Sequence, residues 1–163
     1  MDHDAEFAEF MAARWSALYR TAYLLMGQHH QAEDLLQDVL ARTCVQWPSI
    51  KDKGLAEAYV RRGLVNAASR QWRRRGRERL TEHVPELSHT GDIELSADKL
   101  VLWEEVQRLP PRMRATLILR YLEDRSEHDT AAVLGVSVGS VKSQTHHALK
   151  RLRAAMPEME NLR

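Results

Sequence analysis

One cysteine, Cys44, is all the thiol that the 163 residues contain. A single thiol closes no disulfide within one chain and builds no thiolate zinc cluster, so a reducing, cytoplasmic setting is expected. Cys44 itself falls within a helical apolar pattern and is expected to be inert packing. Glycine (7) and proline (5) are scarce and period-2 runs are few, which argues against sheet architectures and favours an all-α fold. No apolar run reaches the length of a signal peptide or a membrane span, so neither export nor membrane insertion is expected. His29, His30, His83 and His89 lack cysteine partners, and no HxxxH or HExxH spacing occurs; no metal and no cofactor follow from these residues. Paired-carboxylate sites, nucleophile constellations and phosphate loops are equally lacking, so an enzyme is not expected. What remains is 44% hydrophobic and 29% charged residues, the balance of a soluble, packed protein of one domain or two small ones.

The net charge of +1 says little, but the charges are segregated. Arg61 to Arg79 holds eight arginines (61, 62, 70, 73, 74, 75, 77, 79) against Glu78 alone. Glu82 to Glu105 holds seven acids (82, 86, 92, 94, 98, 104, 105) against Lys99. Residues 1 to 50 carry seven acids and three arginines. Separate partners for separate faces would produce this pattern; so would solvated helix faces and an acidic linker.

Apolar periodicity predicts a first helix over Glu6 to Met26, its face made of Phe7, Phe10, Met11, Trp15, Leu18, Tyr19, Ala22, Tyr23, Leu25 and Met26, ended by Gly27. A second runs from Gln31 to Gln46 with Leu35, Leu36, Val39, Leu40 and Val45 inward, and Trp47-Pro48 stops it. After a polar loop, Ser49 to Gly54, a third spans Leu55 to Arg75 with Tyr59, Val60, Leu64, Ala67, Ala68 and Trp72 on its apolar side. Residues 81 to 94 read as an acidic, flexible linker, and the residues after Pro157 as a frayed tail. Two more helices, Leu95 to Arg108 and Pro111 to Leu122, are separated by Pro110-Pro111.

Ser126 to Arg153, SEHDTAAVLGVSVGSVKSQTHHALKRLR, reads as a helix-turn-helix. Ser126 caps the first helix and Asp129 adds charge to its first turn. Ala131, Ala132 and Leu134 suit close packing, Gly135 supplies the left-handed turn position, and Val136 buries in the turn. Ser137 caps a second helix whose Val138, Val141, Ala148, Leu149 and Leu152 keep a 3.6 period. Its other face is polar and basic, suited to a DNA groove.

Four segments in order now carry a resemblance: AEDLLQDVLARTCVQW (Ala32 to Trp47), AYVRRGLVNAASRQWRRRGR (Ala58 to Arg77), LPPRMRATLILRYLEDRS (Leu109 to Ser126) and LGVSVGSVKSQTHHALKRLR (Leu134 to Arg153). Together the chain resembles the extracytoplasmic-function class of the bacterial sigma-70 family. The resemblance implies two small helical domains, region 2 over 1–80 and region 4 over 95–163, joined by the linker. It also implies a sigma factor that binds core RNA polymerase and promoter DNA, with an anti-sigma protein as a further partner. A helix-turn-helix regulator of another class would account for Ser126 to Arg153 but leaves the first 80 residues without a purpose.

By the resemblance, the face made by Asp34, Gln37, Asp38 and Ala41 docks on the clamp helices of the polymerase's largest subunit. As carboxylates near a helix start, Glu33, Asp34 and Asp38 would also favour the helix dipole. Arg70, Arg73, Arg74 and Arg77 recur at i, i+3, i+4 and i+7, a stripe able to track phosphates or simply to keep a helix soluble. The resemblance places the −10 element here, near Asn66, Ser69 and Arg70, with Lys51 and Lys53 in the loop that traps a flipped base. Asn66 is either a base-reading amide or a satisfied helix amide. Trp47 and Tyr59 read as core. Ser140, Lys142, Ser143, His146, His147 and Lys150 are implied to enter the major groove at the −35 element, with Arg120 and Arg125 bracing the backbone. The chain departs from the family pattern at Asp129, Thr130, Gln144, His146 and His147; Thr130 stands where a bulkier apolar residue usually packs. Adjacent phosphates favour a charged imidazole, so affinity for a −35 duplex is expected to tighten as pH falls from about 8 to about 6. Titrating a labelled duplex at fixed salt checks this: neutral imidazoles give a flat response, and a His146/His147 double alanine should remove any slope.

Overall fold

The computed structural model describes residues 2–78 and 97–157, with side chains described over 2–75 and 100–157. The expected linker and the tail beyond Pro157 lie outside the described residues. Those described form two units, one within residues 1–87 and one within 88–163, and they are helical with no strand among them.

In the first unit, α1 (His3–Met26) starts three residues earlier than periodicity implied, because the Asp2 carboxylate accepts from the Asp4 and Ala5 amides. It ends at Gly27, whose φ of 75° lets its N–H reach the Tyr23 carbonyl. Helix α2 (His29–Gln46) follows after Gln28, and α3 (Ala56–Glu78) after two single 3₁₀ turns, Trp47–Ser49 and Lys53–Leu55. All three helices pack on one another around Leu18, Leu25, Leu35, Leu36, Val60 and Leu64, each fully enclosed. Each such side chain contributes about 2 kcal/mol. Gly63 sets how closely α2 and α3 approach: a Cβ there would lie 2.9 Å from Val39 Cγ1.

Four expectations for this unit need correction. Val45 is 82% exposed and Cys44 is also exposed, because the inward row of α2 steps 36, 40, 43, 47 and residues 44 and 45 fall off it. Thr43 takes the inward place instead, its hydroxyl donating to the Val39 carbonyl at 2.8 Å. Trp15 and Tyr59 are partly exposed, at 37% and 43%; the apolar stripes of α1 and α3 are broader than the surfaces that cover them. Trp47 is enclosed as expected, against Phe7 and Phe10 with ring centroids 5.1 Å away in each case, and its indole N–H donates to the Glu6 carboxylate.

The second unit contains α4 (Ala97–Arg108), α5 (Pro111–Leu117), α6 (Glu127–Leu134) and α7 (Val138–Ala155). The buried Arg114 guanidinium donates to the Gln107 and Leu109 carbonyls and so caps the end of α4. The predicted Pro111–Leu122 helix is α-helical only to Leu117; Ile118–Leu122 is a π turn. There the Glu123 amide reaches the Ile118 carbonyl, the Arg125 amide that of Leu119, and Arg120 donates to the Arg125 carbonyl. Asp124 completes the reversal with φ 57°. Helices α6 and α7 begin as expected, Ser126 accepting from the Asp129 amide and Ser137 from the Ser140 amide, with Gly135 left-handed at φ 67°. Ala132 is exposed, not packed. Leu109, Leu117 and Ala148 form a core that Met113, Leu149 and Leu152 cover.

Thr130 is fully buried, and its hydroxyl has no hydrogen-bond partner. A stranded hydroxyl costs on the order of 1 kcal/mol or more, so Thr130→Val, of nearly the same shape, should stabilise the second unit by about that amount. Thermal or urea unfolding of the two proteins checks it; an unchanged or lower midpoint would mean that the hydroxyl is satisfied in solution.

Candidate nucleic-acid interface

On α2, Asp34, Gln37, Asp38 and Ala41 are all exposed, and helical spacing puts them on one face. The helix begins at His29 and its first turn contains no acid. Dipole stabilisation, expected for Glu33, Asp34 and Asp38, is therefore not what places them there, since that effect fades beyond the first turn. Asp38 pairs with Arg42 one turn on, at 2.9 Å.

Arg42 also lines a groove of about 320 Å³ between α2 and α3, together with Val39, Thr43, Tyr59, Arg62, Gly63, Asn66 and Arg70. Its floor is the Gly63–Val39 approach and its walls carry three guanidiniums, one amide and one phenol, with no carboxylate among them. The Tyr59 hydroxyl donates to Gln46 Oε1 at 2.5 Å, which fixes the ring across the top of both helices. Arg62, Asn66, Arg70 and Arg74 are exposed in one i+4 row along α3, with Arg73 exposed beside it. Ser69 is half-buried, and its carbonyl accepts from Arg73 Nε at 3.3 Å. Arg77 lies on the same helix, but its side chain is outside the described residues. Arg61 does not belong to this surface: it is 4% exposed and pairs with Glu57, which also meets Arg14 of α1 at 3.4 Å. The Glu57–Arg14 contact links α3 to α1.

In the loop, Lys51 is exposed, whereas Lys53 is turned inward. Its ammonium donates to the Trp47 carbonyl and sits 4.4 Å from the Trp47 ring centre. Lys53 therefore pins the loop to the aromatic cluster and offers little charge outward.

On α7, Ser140, Lys142, Ser143, His146, His147 and Lys150 are all exposed along one side, while Val141 and Ala148 are buried on the other. The Ser140 hydroxyl is engaged by that of Ser137 at 3.1 Å. Lys142 faces Glu127 at 3.8 Å, and the two imidazoles meet edge to face with centres 5.6 Å apart. Arg120 and Arg125 are half-buried; one holds the turn before α6 and the other pairs with Glu123 at 3.4 Å. Both stabilise that turn. Among the described residues, no group of three His, Cys, Asp or Glu side chains could hold a metal ion, and no helix is long and apolar enough to cross a membrane.

Residues 13–78 match the sigma-70 region 2 family and residues 99–152 the sigma-70 region 4 family. The chain belongs to the sigma-70 family. It is 43% identical to the RNA polymerase sigma-E factor of Streptomyces coelicolor, over 91% of this chain and 84% of that one. It is 34% identical to the ECF RNA polymerase sigma factor SigE of Mycolicibacterium smegmatis, over 83% of this chain and 56% of the relative. Among solved structures, the sigma factor RpoE of Bartonella quintana, crystallised with the anti-sigma factor NepR, superposes with a TM-score of 0.74 at 26% identity, covering 93% of this chain and 97% of that one. These relatives place the chain in the extracytoplasmic-function branch of the family, as an RNA polymerase sigma factor that directs promoter-specific initiation. The helix-turn-helix thus lies within one of two matched regions, residues 99–152, and α1 to α3 within the other. Arg42 and Arg62 line the groove although no sequence motif pointed to them, and Tyr59, assigned to the core, lines it too.

Proposed function

We propose a division of labour between the two units of this sigma factor. The first, residues 1–80, docks on core RNA polymerase through Asp34, Gln37, Asp38 and Ala41 and takes the −10 strand along α3. The second, residues 95–163, reads the −35 duplex through Ser140, Lys142, Ser143, His146, His147 and Lys150 of α7. The work is binding, not catalysis, and its setting is the cytoplasm, where polymerase and promoter are found. The observation that carries this reading is the groove between α2 and α3: it gathers Arg42, Arg62 and Arg70 around Asn66 with no acid among them. Such a site suits an anionic strand whose base edge an amide can read. The acidic docking face lies on the same helix that forms one groove wall, so polymerase and strand are held by adjoining surfaces. An anti-sigma protein that covered the α2 face would block polymerase without touching α7.

The direct test is reconstitution. Purified chain added to core polymerase should yield specific transcripts from promoters selected from a random library, and their absence would end the proposal. Asp38→Arg reverses charge at the centre of the docking face and should weaken capture by core polymerase about tenfold or more, since a like-charge contact costs about 1.4 kcal/mol or more; the circular dichroism spectrum should not change. Arg70→Ala removes one phosphate contact and should reduce the salt dependence of single-strand binding by about 0.7 in log–log slope. An unchanged slope would place Arg70 off the strand's path.

A further inference from the structure

The strip that α7 offers to a −35 duplex has an acid at its edge. Glu127, the first residue of α6, brings its carboxylate to 3.8 Å from the Lys142 ammonium on α7. Both backbones at this contact are held in place. Ser126 caps α6 by accepting from the Asp129 amide, and Thr130, three residues beyond Glu127, is fully buried. Val141, next to Lys142, is fully buried as well, and α6 and α7 pack on one another. The pair therefore joins two fixed points, and its flexible part is the lysine stem. Side-chain exposures of 65% for Lys142 and 37% for Glu127 leave the contact in solvent, so it biases Lys142 without locking it. Lys150, exposed two turns further along the strip, makes no ion pair among the described residues.

A lysine with no partner reaches whichever phosphate is nearest, because its stem turns freely and every duplex offers phosphates. Such a contact carries no sequence information. An ammonium has three hydrogens, so one turned to Glu127 leaves two for an acceptor on the DNA. Those two serve an acceptor only where the pair holds the nitrogen. We propose that Glu127 is a specificity-determining residue for the −35 element: it keeps Lys142 from phosphates at large and reserves it for an acceptor at one place in the groove. The Glu127 charge also opposes the backbone of any duplex. Only a duplex with the acceptor in the right place offsets that cost. Glu127 touches no base in this arrangement and acts through Lys142. Removing its carboxylate therefore helps the wrong sequence more than the right one. An exposed pair sets the change in discrimination at roughly twofold.

This inference rests on the assignment of α7 to the −35 duplex, and a mutant cycle separates the two. Holoenzyme is reconstituted from core polymerase and each full-length variant. Two fluorescent fragments are compared by anisotropy: a promoter that the wild-type holoenzyme transcribes, and the same promoter with its −35 segment scrambled. The Kd for the scrambled fragment divided by that for the intact one measures discrimination. Glu127→Gln should lower this ratio roughly twofold, through tighter binding of the scrambled fragment. Lys142→Met should weaken binding of the intact fragment, and adding Glu127→Gln to it should leave the ratio where Lys142→Met put it. Equal gains on both fragments would reveal a general field effect of removing an acid and would overturn the proposal. So would an unchanged ratio in Glu127→Gln, or a fall of the same size in the Lys142→Met background, which would mean that Glu127 meets the DNA without Lys142. If wild-type holoenzyme binds both fragments alike, the −35 reading fails and this inference falls with it; if it discriminates and Glu127→Gln discriminates equally well, only the inference fails.

Discussion

The close approach of α2 and α3 at Gly63 is the constraint on which the first unit's groove depends. With no side chain at residue 63, Val39 of α2 comes within the space that a Cβ would occupy, and the two helices lie close enough to share one groove. Arg42 and Thr43 then form one wall, and Arg62, Asn66 and Arg70 the other. A larger residue would have to overpack the contact or push the helices apart, at a cost of about 1–3 kcal/mol. Separated helices would still be individually amphipathic. They would not bring Arg42 of α2 opposite the Asn66 amide and the arginines of α3.

A second theme is how much charge this protein spends on its own architecture. Arg61 pairs with Glu57 one turn earlier on α3, and Glu57 also meets Arg14 of α1. Arg114 closes the carbonyl end of α4, Arg120 holds the turn before α6, and Lys53 anchors the loop to Trp47. A guanidinium can satisfy two carbonyls at once while its stem packs against apolar neighbours, which suits helix ends and tight reversals. The π turn at Ile118–Leu122 and the left-handed Asp124 need such stitching, because carbonyls displaced from the α pattern must find donors elsewhere. Basic residues close in sequence thus divide into those that build and those that face outward.

Much of the fold was legible from local chemistry. Gly27 and Gly135 ended their helices, and Ser126 and Ser137 began theirs, because a capping hydroxyl and a left-handed glycine act on their own few neighbours. The helix-turn-helix and its exposed basic strip were legible for the same reason. Burial was harder to read. Val45 and Cys44 looked inward by residue type, yet periodicity placed Thr43 in the core and left both outside. The row Arg62, Asn66, Arg70, Arg74 was present at i+4 spacing, and following it one step upstream would have found Arg62. Nothing local distinguished Arg61 from Arg62; adjacent residues on a helix point about 100° apart, and only packing chose which became buried.

By itself the sequence determined the helices, their caps and the motif order that marks the family, since each depends on interactions within a few residues or on a fixed pattern of residue types. Only the tertiary structure decided which arginines face solvent, that Lys53 turns to Trp47, and that Arg42 meets both Asp38 and the groove. The groove in particular depends on where two helices cross, and that crossing is fixed by contacts between residues such as Val39 and Gly63 that are remote along the chain.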